Sequence, residues 1–164
     1  MFTIADIRDI AIQIERNGEA AYLQASEAVD DPELTRLLRR MADQEKEHAH
    51  WFEQMQLPQD PERQDPRIAE MGRELLQTIT AKQTFSLDAE RLIAAEDIRA
   101  VLQQSREFEK DTILFYEMLY DFLAEGEASR RHLITIIEEE RTHIEQLEKM
   151  AAKLDRSEPK LKRS

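Results

Sequence analysis

Two stretches of the chain repeat one spacing of acids, phenols and imidazoles: Glu15, Tyr22, Glu45 and His48, then Glu109, Tyr116, Glu140 and His143. In each copy a Tyr follows the first Glu by seven residues, and a Glu-x-x-His pair follows about thirty residues on. A Glu and a His three apart lie on one face of a helix, where they can hold one ion together. Four carboxylates and two imidazoles spread over four helices form a ligand set for two metal ions in the core of a bundle. The expected geometry has Glu45 and Glu140 bridging the ions, Glu15 with His48 completing one, and Glu109 with His143 completing the other. Such oxygen-rich sites with a little imidazole suit iron, manganese or zinc, of which iron and manganese support redox chemistry.

The position of these residues in the hydrophobic pattern matters more than the motif. On the second helix the inward stripe reads Leu34, Leu38, Met41, Glu45, His48, Phe52, Met55, in alternating steps of four and three. The third gives Ile98, Leu102, Ser105, Glu109, Thr112, Tyr116, Leu119, Leu123, and the fourth gives Leu133, Ile136, Glu140, His143, Leu147, Met150, Leu154. The first is less regular, with Ile4, Ala11, Glu15, Gly18, Tyr22, Ala25 and Val29 on one stripe and Arg8 interrupting it. Glu and His therefore stand where Leu or Ile would fill the core. Buried carboxylates without partners would neutralise, and four together would repel one another. Two divalent ions supply four positive charges against four negative ones and offset both penalties.

The helices that carry these stripes have recognisable ends. Thr3 is a plausible N-cap with Asp6 in the first turn, and the helix is predicted to reach Val29. Asp31 caps a second helix with Pro32 at its first position, predicted to run to Leu57 ahead of Pro58. The chain thus reads as an all-α four-helix bundle over residues 1–156, built from two helical hairpins, about 3–57 and 98–154. A crossover over 58–97 is too long for a tight turn and should leave the second and third helices parallel. Within it, Ile68, Leu75, Leu76 and Ile79 mark a short extra helix. Residues 157–164 are expected to form a basic, flexible tail.

Composition narrows the function. With 35% charged residues, 41% apolar ones and only three Gly and five Pro, long amphipathic helices are favoured over strands. The formal charge of −12 opposes a nucleic-acid surface, which needs clustered Lys and Arg. No apolar run approaches the length of a membrane span and no leader-like segment opens the chain, so a soluble cytoplasmic protein without a membrane partner is expected. The absence of Cys excludes iron–sulfur and thiolate sites. Trp51, Phe115 and the 68–79 segment are more apolar surface than one core covers, so a homodimer or higher homo-oligomer is expected. Gly18, one turn after Glu15, leaves room either for an oxygen-derived ligand or for close packing. In the run Glu138-Glu139-Glu140 only the last member is expected to point inward, and His50 and His132 fall off the ligand stripes.

The segment Ala42-Asp-Gln-Glu-Lys-Glu-His48, its counterpart at Glu140 to His143, and the two Glu-to-Tyr spacings resemble the ferritin-like diiron proteins, most closely rubrerythrin. The resemblance covers both hairpins. It implies two iron ions in a non-haem diiron oxidoreductase of peroxidase or ferroxidase type, reacting with hydrogen peroxide or dioxygen. By the same resemblance, Tyr22 and Tyr116 bond to ligand carboxylates. Rubrerythrin usually carries a Cys-rich electron-delivery module and a further Glu one turn past the first ligand of the third helix. This chain has no Cys, which implies an external electron donor, and Thr112 at that further position. Iron handling by a ferritin-like ferroxidase, or a structural metal-binding bundle, are the alternative functions.

Overall fold

The computed structural model describes residues 3–56, 66–67, 70, 73–74, 98–123 and 128–157, and four long helices carry the fold among them. They are α1 (Ile4–Ala28), α2 (Pro32–Gln54), α3 (Ile98–Phe122) and α4 (Ala128–Ser157). Thr3 caps α1 reciprocally: its hydroxyl accepts from the Asp6 N–H at 3.2 Å while its own N–H donates to the Asp6 carboxylate at 2.6 Å. Asp31 caps α2 by accepting from the Leu34 N–H at 2.8 Å, and Pro32 contributes its fixed φ where no N–H is needed. The helix ends fall one to three residues from the expected ones: α1 stops at Ala28 with Val29 extended, and α2 stops at Gln54 with Met55 extended. At its far end α4 runs on to Ser157. The predicted extra helix around 68–79 and the tail beyond Ser157 lie outside the described residues.

Side-chain bonds between helices give the chain directions. The short link over 29–31 turns α2 back along α1, and Arg16 pairs across them with Glu53 at 2.8 Å, so α1 and α2 are antiparallel; the two pairs Arg141 with Glu117 and Arg99 with Asp155, both at 2.7 Å, show the same for α3 and α4. Across the hairpins Tyr22 meets Glu109 and Tyr116 meets Glu15, which makes α1 antiparallel to α3. Helices α2 and α3 consequently point the same way, as the long intervening segment requires.

All seven stripe positions of α2, the last being its C-cap Met55, are buried, and so are the inward residues of α3 from Leu102 on, with Leu123 just past its end. The buried face is nevertheless wider than the stripes. Val101, Phe108, Ile113, Ile137 and Phe115 join the core, and Phe115, expected on the outside, is 2% exposed. It therefore offers nothing to a second subunit. Phe52 and Tyr116 pack with their rings tilted by 45° and centroids 5.2 Å apart, and burying such rings stabilises the fold by about 1.5–3 kcal/mol each. Trp51 is half-buried, edge-on to Phe52 and stacked flat on exposed His132 at 4.5 Å. No helix among the described residues is long and apolar enough to cross a membrane.

Candidate metal centre

The heptad-like steps that bury Leu and Met elsewhere bring all six Glu and His residues of the repeat to the bundle centre. Glu15, Glu45, Glu109 and Glu140 are fully buried, His48 is 3% exposed and His143 1%. Their ligand atoms form two groups, Glu15 with Glu45, His48 and Glu140, and Glu45 with Glu109, Glu140 and His143. Within each group all of these atoms lie within 4.8 Å of one another, and Glu45 and Glu140 belong to both.

Each imidazole turns Nδ1 toward the carboxylates. His48 Nδ1 is 2.9 Å from Glu140 Oε1 and 3.6 Å from Glu15 Oε2. His143 Nδ1 is 3.0 Å from Glu140 Oε2 and 3.5 Å from both Glu45 Oε1 and Glu109 Oε1. The other nitrogen is held from outside. His48 Nε2 bonds to Glu139 Oε2 at 2.6 Å, and His143 Nε2 bonds to Gln44 Oε1. With a proton placed on Nε2 by these acceptors, the Nδ1 lone pair is left for an ion. The phenols act on the carboxylates: Tyr22 Oη donates to Glu109 Oε1 at 2.6 Å, and Tyr116 Oη donates to Glu15 Oε1. Each Tyr thus serves the Glu of the opposite hairpin. Burial first, then the neighbouring carboxylates, raises both phenol pKa values well above the ordinary value, so they stay protonated donors.

The protein alone leaves this centre unsatisfied. Glu15 Oε2, both oxygens of Glu45, Glu109 Oε2, Glu140 Oε1 and His48 Nδ1 are buried without a hydrogen-bond partner. A cluster of orphaned acceptors around one point is costly in a native core unless a cation or protons occupy it. Burial, reinforced by Glu140, Glu15 and Glu109, raises Glu45 well above the carboxylate range. Burial and the charge of Glu140 push Glu109 up to about 8 against the pull of His143. Glu140 goes the other way: burial opposes ionisation, but the imidazoles of His143 and His48 beside it prevail and hold it well below its ordinary value. For His143 burial favours the neutral ring, yet Glu109 and Glu140 raise it to about 10; His48 is raised further by Glu139, Glu140 and Glu15. Six donors that share protons when alone, with four potential negative charges, fit a pair of divalent ions.

Two residues escaped the sequence reading. Glu139, expected on the solvated face, bonds to His48, and Gln44 does the same for His143. Their one signal is positional, since each immediately precedes the shared Glu of its repeat. Thr112 is buried and its hydroxyl donates to the Phe108 carbonyl one turn back at 2.9 Å, so it adds no acid to the centre. Gly18 turns out to make room for protein: a Cβ there would lie 3.1 Å from Glu45 Oε2 and 3.2 Å from Phe108 Cε1. Gly18→Ala is expected to stabilise the metal-free helix by up to ~1 kcal/mol while displacing Glu45 and weakening both ions about tenfold. Thermal melts of the metal-free form and a chelator competition would check the pair of effects; unchanged affinity would show that Glu45 moves aside freely.

Comparison with known proteins agrees with this architecture. The family model for rubrerythrin matches residues 6–150. A solved structure from Thermotoga maritima, named as a ferritin-like diiron-carboxylate protein, superimposes with a TM-score of 0.65 at 23% identity, covering 92% of this chain and 94% of that one. No curated protein matches the chain.

Proposed function

Since the chain belongs to the rubrerythrin family and is a ferritin-like non-haem diiron protein, we propose that it is an oxidoreductase that reduces hydrogen peroxide or dioxygen with electrons from an external donor. The observation that carries this reading is the doubled ligand group sharing Glu45 and Glu140. Bound there, a pair of iron ions would supply two electrons to a peroxide or dioxygen O–O bond. Glu15 and His48 would complete one position, Glu109 and His143 the other.

The protein's own contribution is preorganisation. Tyr22 and Tyr116 hold one oxygen of Glu109 and Glu15, leaving the second oxygen of each for the ion. Gln44 and Glu139 fix the ring tautomers. Phe52, Phe108 and Met41, all buried, exclude bulk water, which strengthens every electrostatic interaction inside. With no Cys in the chain, reducing equivalents come from another molecule.

Ferroxidase chemistry is the second reading, and Thr112 favours it. Its hydroxyl is committed to its own helix, so no carboxylate at this place can exchange with His48 as an ion changes oxidation state. Metal-free protein reconstituted anaerobically with ferrous iron is expected to take up two ions per chain. Stopped-flow absorbance after mixing with peroxide or with dioxygen separates the readings: faster oxidation by peroxide, with turnover on adding a reductant, supports the first, and single-turnover oxidation by dioxygen the second. Uptake near zero would overturn both.

A further inference from the structure

We propose that Gln44 and Glu139 are positioning residues that make the two halves of the centre unequal, so that the position beside His48 takes up a divalent ion before the position beside His143. This rests on the metal-binding reading above and not on which oxidant the centre serves. At the inward positions that reach the ions the halves match: Glu15 with Glu109, Tyr22 with Tyr116, Glu45 with Glu140, His48 with His143. Residues 44 and 139 are also equivalent by place. Each precedes the shared Glu of its helix and reaches across the antiparallel α2–α4 pair to the Nε2 of the opposite imidazole.

They differ in chemistry. Glu139 offers His48 a carboxylate at 2.6 Å, whereas Gln44 offers His143 a neutral amide oxygen. A charged acceptor on Nε2–H draws the proton away and leaves more electron density on Nδ1, making that imidazole the better donor to a cation. It also adds a negative charge to the surroundings of one ion. The side chain of Glu139 is 42% exposed, so solvent screens part of this charge. An affinity gap of about tenfold, at the lower end of what partners of ligating histidines produce, is the expected size.

The test uses the full metal-free chain and zinc(II), a redox-silent probe, with imidazole resonances followed by NMR and stepwise affinities measured by chelator competition. In the unaltered protein the His48 signals should shift with the first equivalent and those of His143 with the second. Glu139→Gln should close the gap by weakening the first step about tenfold, and Gln44→Glu should close it by strengthening the second. Exchanging the two, Gln44→Glu with Glu139→Gln, should reverse the order. Both positions are only partly buried, and helical content of the metal-free variants verifies their folding; the order in the unaltered protein decides independently of any variant. Simultaneous shifts of both histidines, or an unreversed order in the folded exchange variant, would overturn the proposal while leaving the metal-binding reading intact. Failure of zinc to enter either position would overturn the two together.

Discussion

Glu140→Ala is expected to abolish tight binding of both ions at once, whereas Glu109→Ala should cost one. Glu140 belongs to both ligand groups, and its two oxygens divide between the two imidazoles at 2.9 and 3.0 Å. Losing a shared carboxylate removes a bond and a charge from each position, so a weakening on the order of 100-fold or more per ion follows, above the range for an outer partner. The metal-free variant should also suffer. Glu140 is the carboxylate that faces both imidazoles, and breaking a buried ion pair from one side costs about 3–5 kcal/mol. Metal analysis after dialysis against a weak chelator, with denaturant titration of the metal-free form, checks both parts. A variant that kept one ion at unaltered affinity would show that Glu140 does not bridge.

Removing the metal should lower the thermal midpoint by on the order of 20 °C, and the loss should grow with pH. Two ions that bind only the native state at a thousandfold excess over their dissociation constants contribute about 4 kcal/mol each, and a chain of this length shifts about 2–4 °C per kcal/mol. The pH trend follows from protons. In the metal-free fold Glu109 keeps its proton up to about pH 8, against an ordinary value of 4.5, and His143 keeps its own to about 10, against 6.5. Between pH 4.5 and 8 for Glu109, and between 6.5 and 10 for His143, the folded chain holds protons that the unfolded chain has released. Rising pH therefore destabilises the metal-free protein across both windows. Ions displace those protons, so metal affinity rises over the same range. Melts at pH 5, 7 and 9 with and without metal should show a widening gap; a constant or narrowing one would mean that the carboxylates are not protonated in the metal-free core.

Much of this centre was legible because its residues break a pattern that is otherwise strict. Glu45, His48, Glu140 and His143 occupy steps of three and four where Leu and Met stand on either side, and a charge in such a place demands a partner. Caps at Thr3 and Asp31 were equally legible, since short polar side chains before an acidic or proline-led turn have a local mechanism. Glu139 was hidden for the opposite reason. A half-exposed acid in a run of three has no periodic signature, and its role depends on a helix 91 residues away in sequence. Phe108 and Phe115 were missed because a helix packed by several neighbours buries more than its narrowest stripe. Gly18 carried two meanings until the position of the Glu45 carboxylate was known.

The crossed bonds at the centre also determine how the hairpins can slide. Tyr22 with Glu109, Tyr116 with Glu15, and each imidazole with residue 44 or 139 all tie one hairpin to the other. A displacement of α1 along α3 by seven residues would preserve the periodicity of the apolar stripes but set Glu15 against Glu109 and Tyr22 against Leu102. Leucine layers tolerate such a slip, because one greasy surface packs nearly as well as the next. A layer of carboxylates does not, since it would face its own charge and strand a phenol. The groups that strain the metal-free core therefore act as its register key, leaving the two hairpins one alignment in which to close.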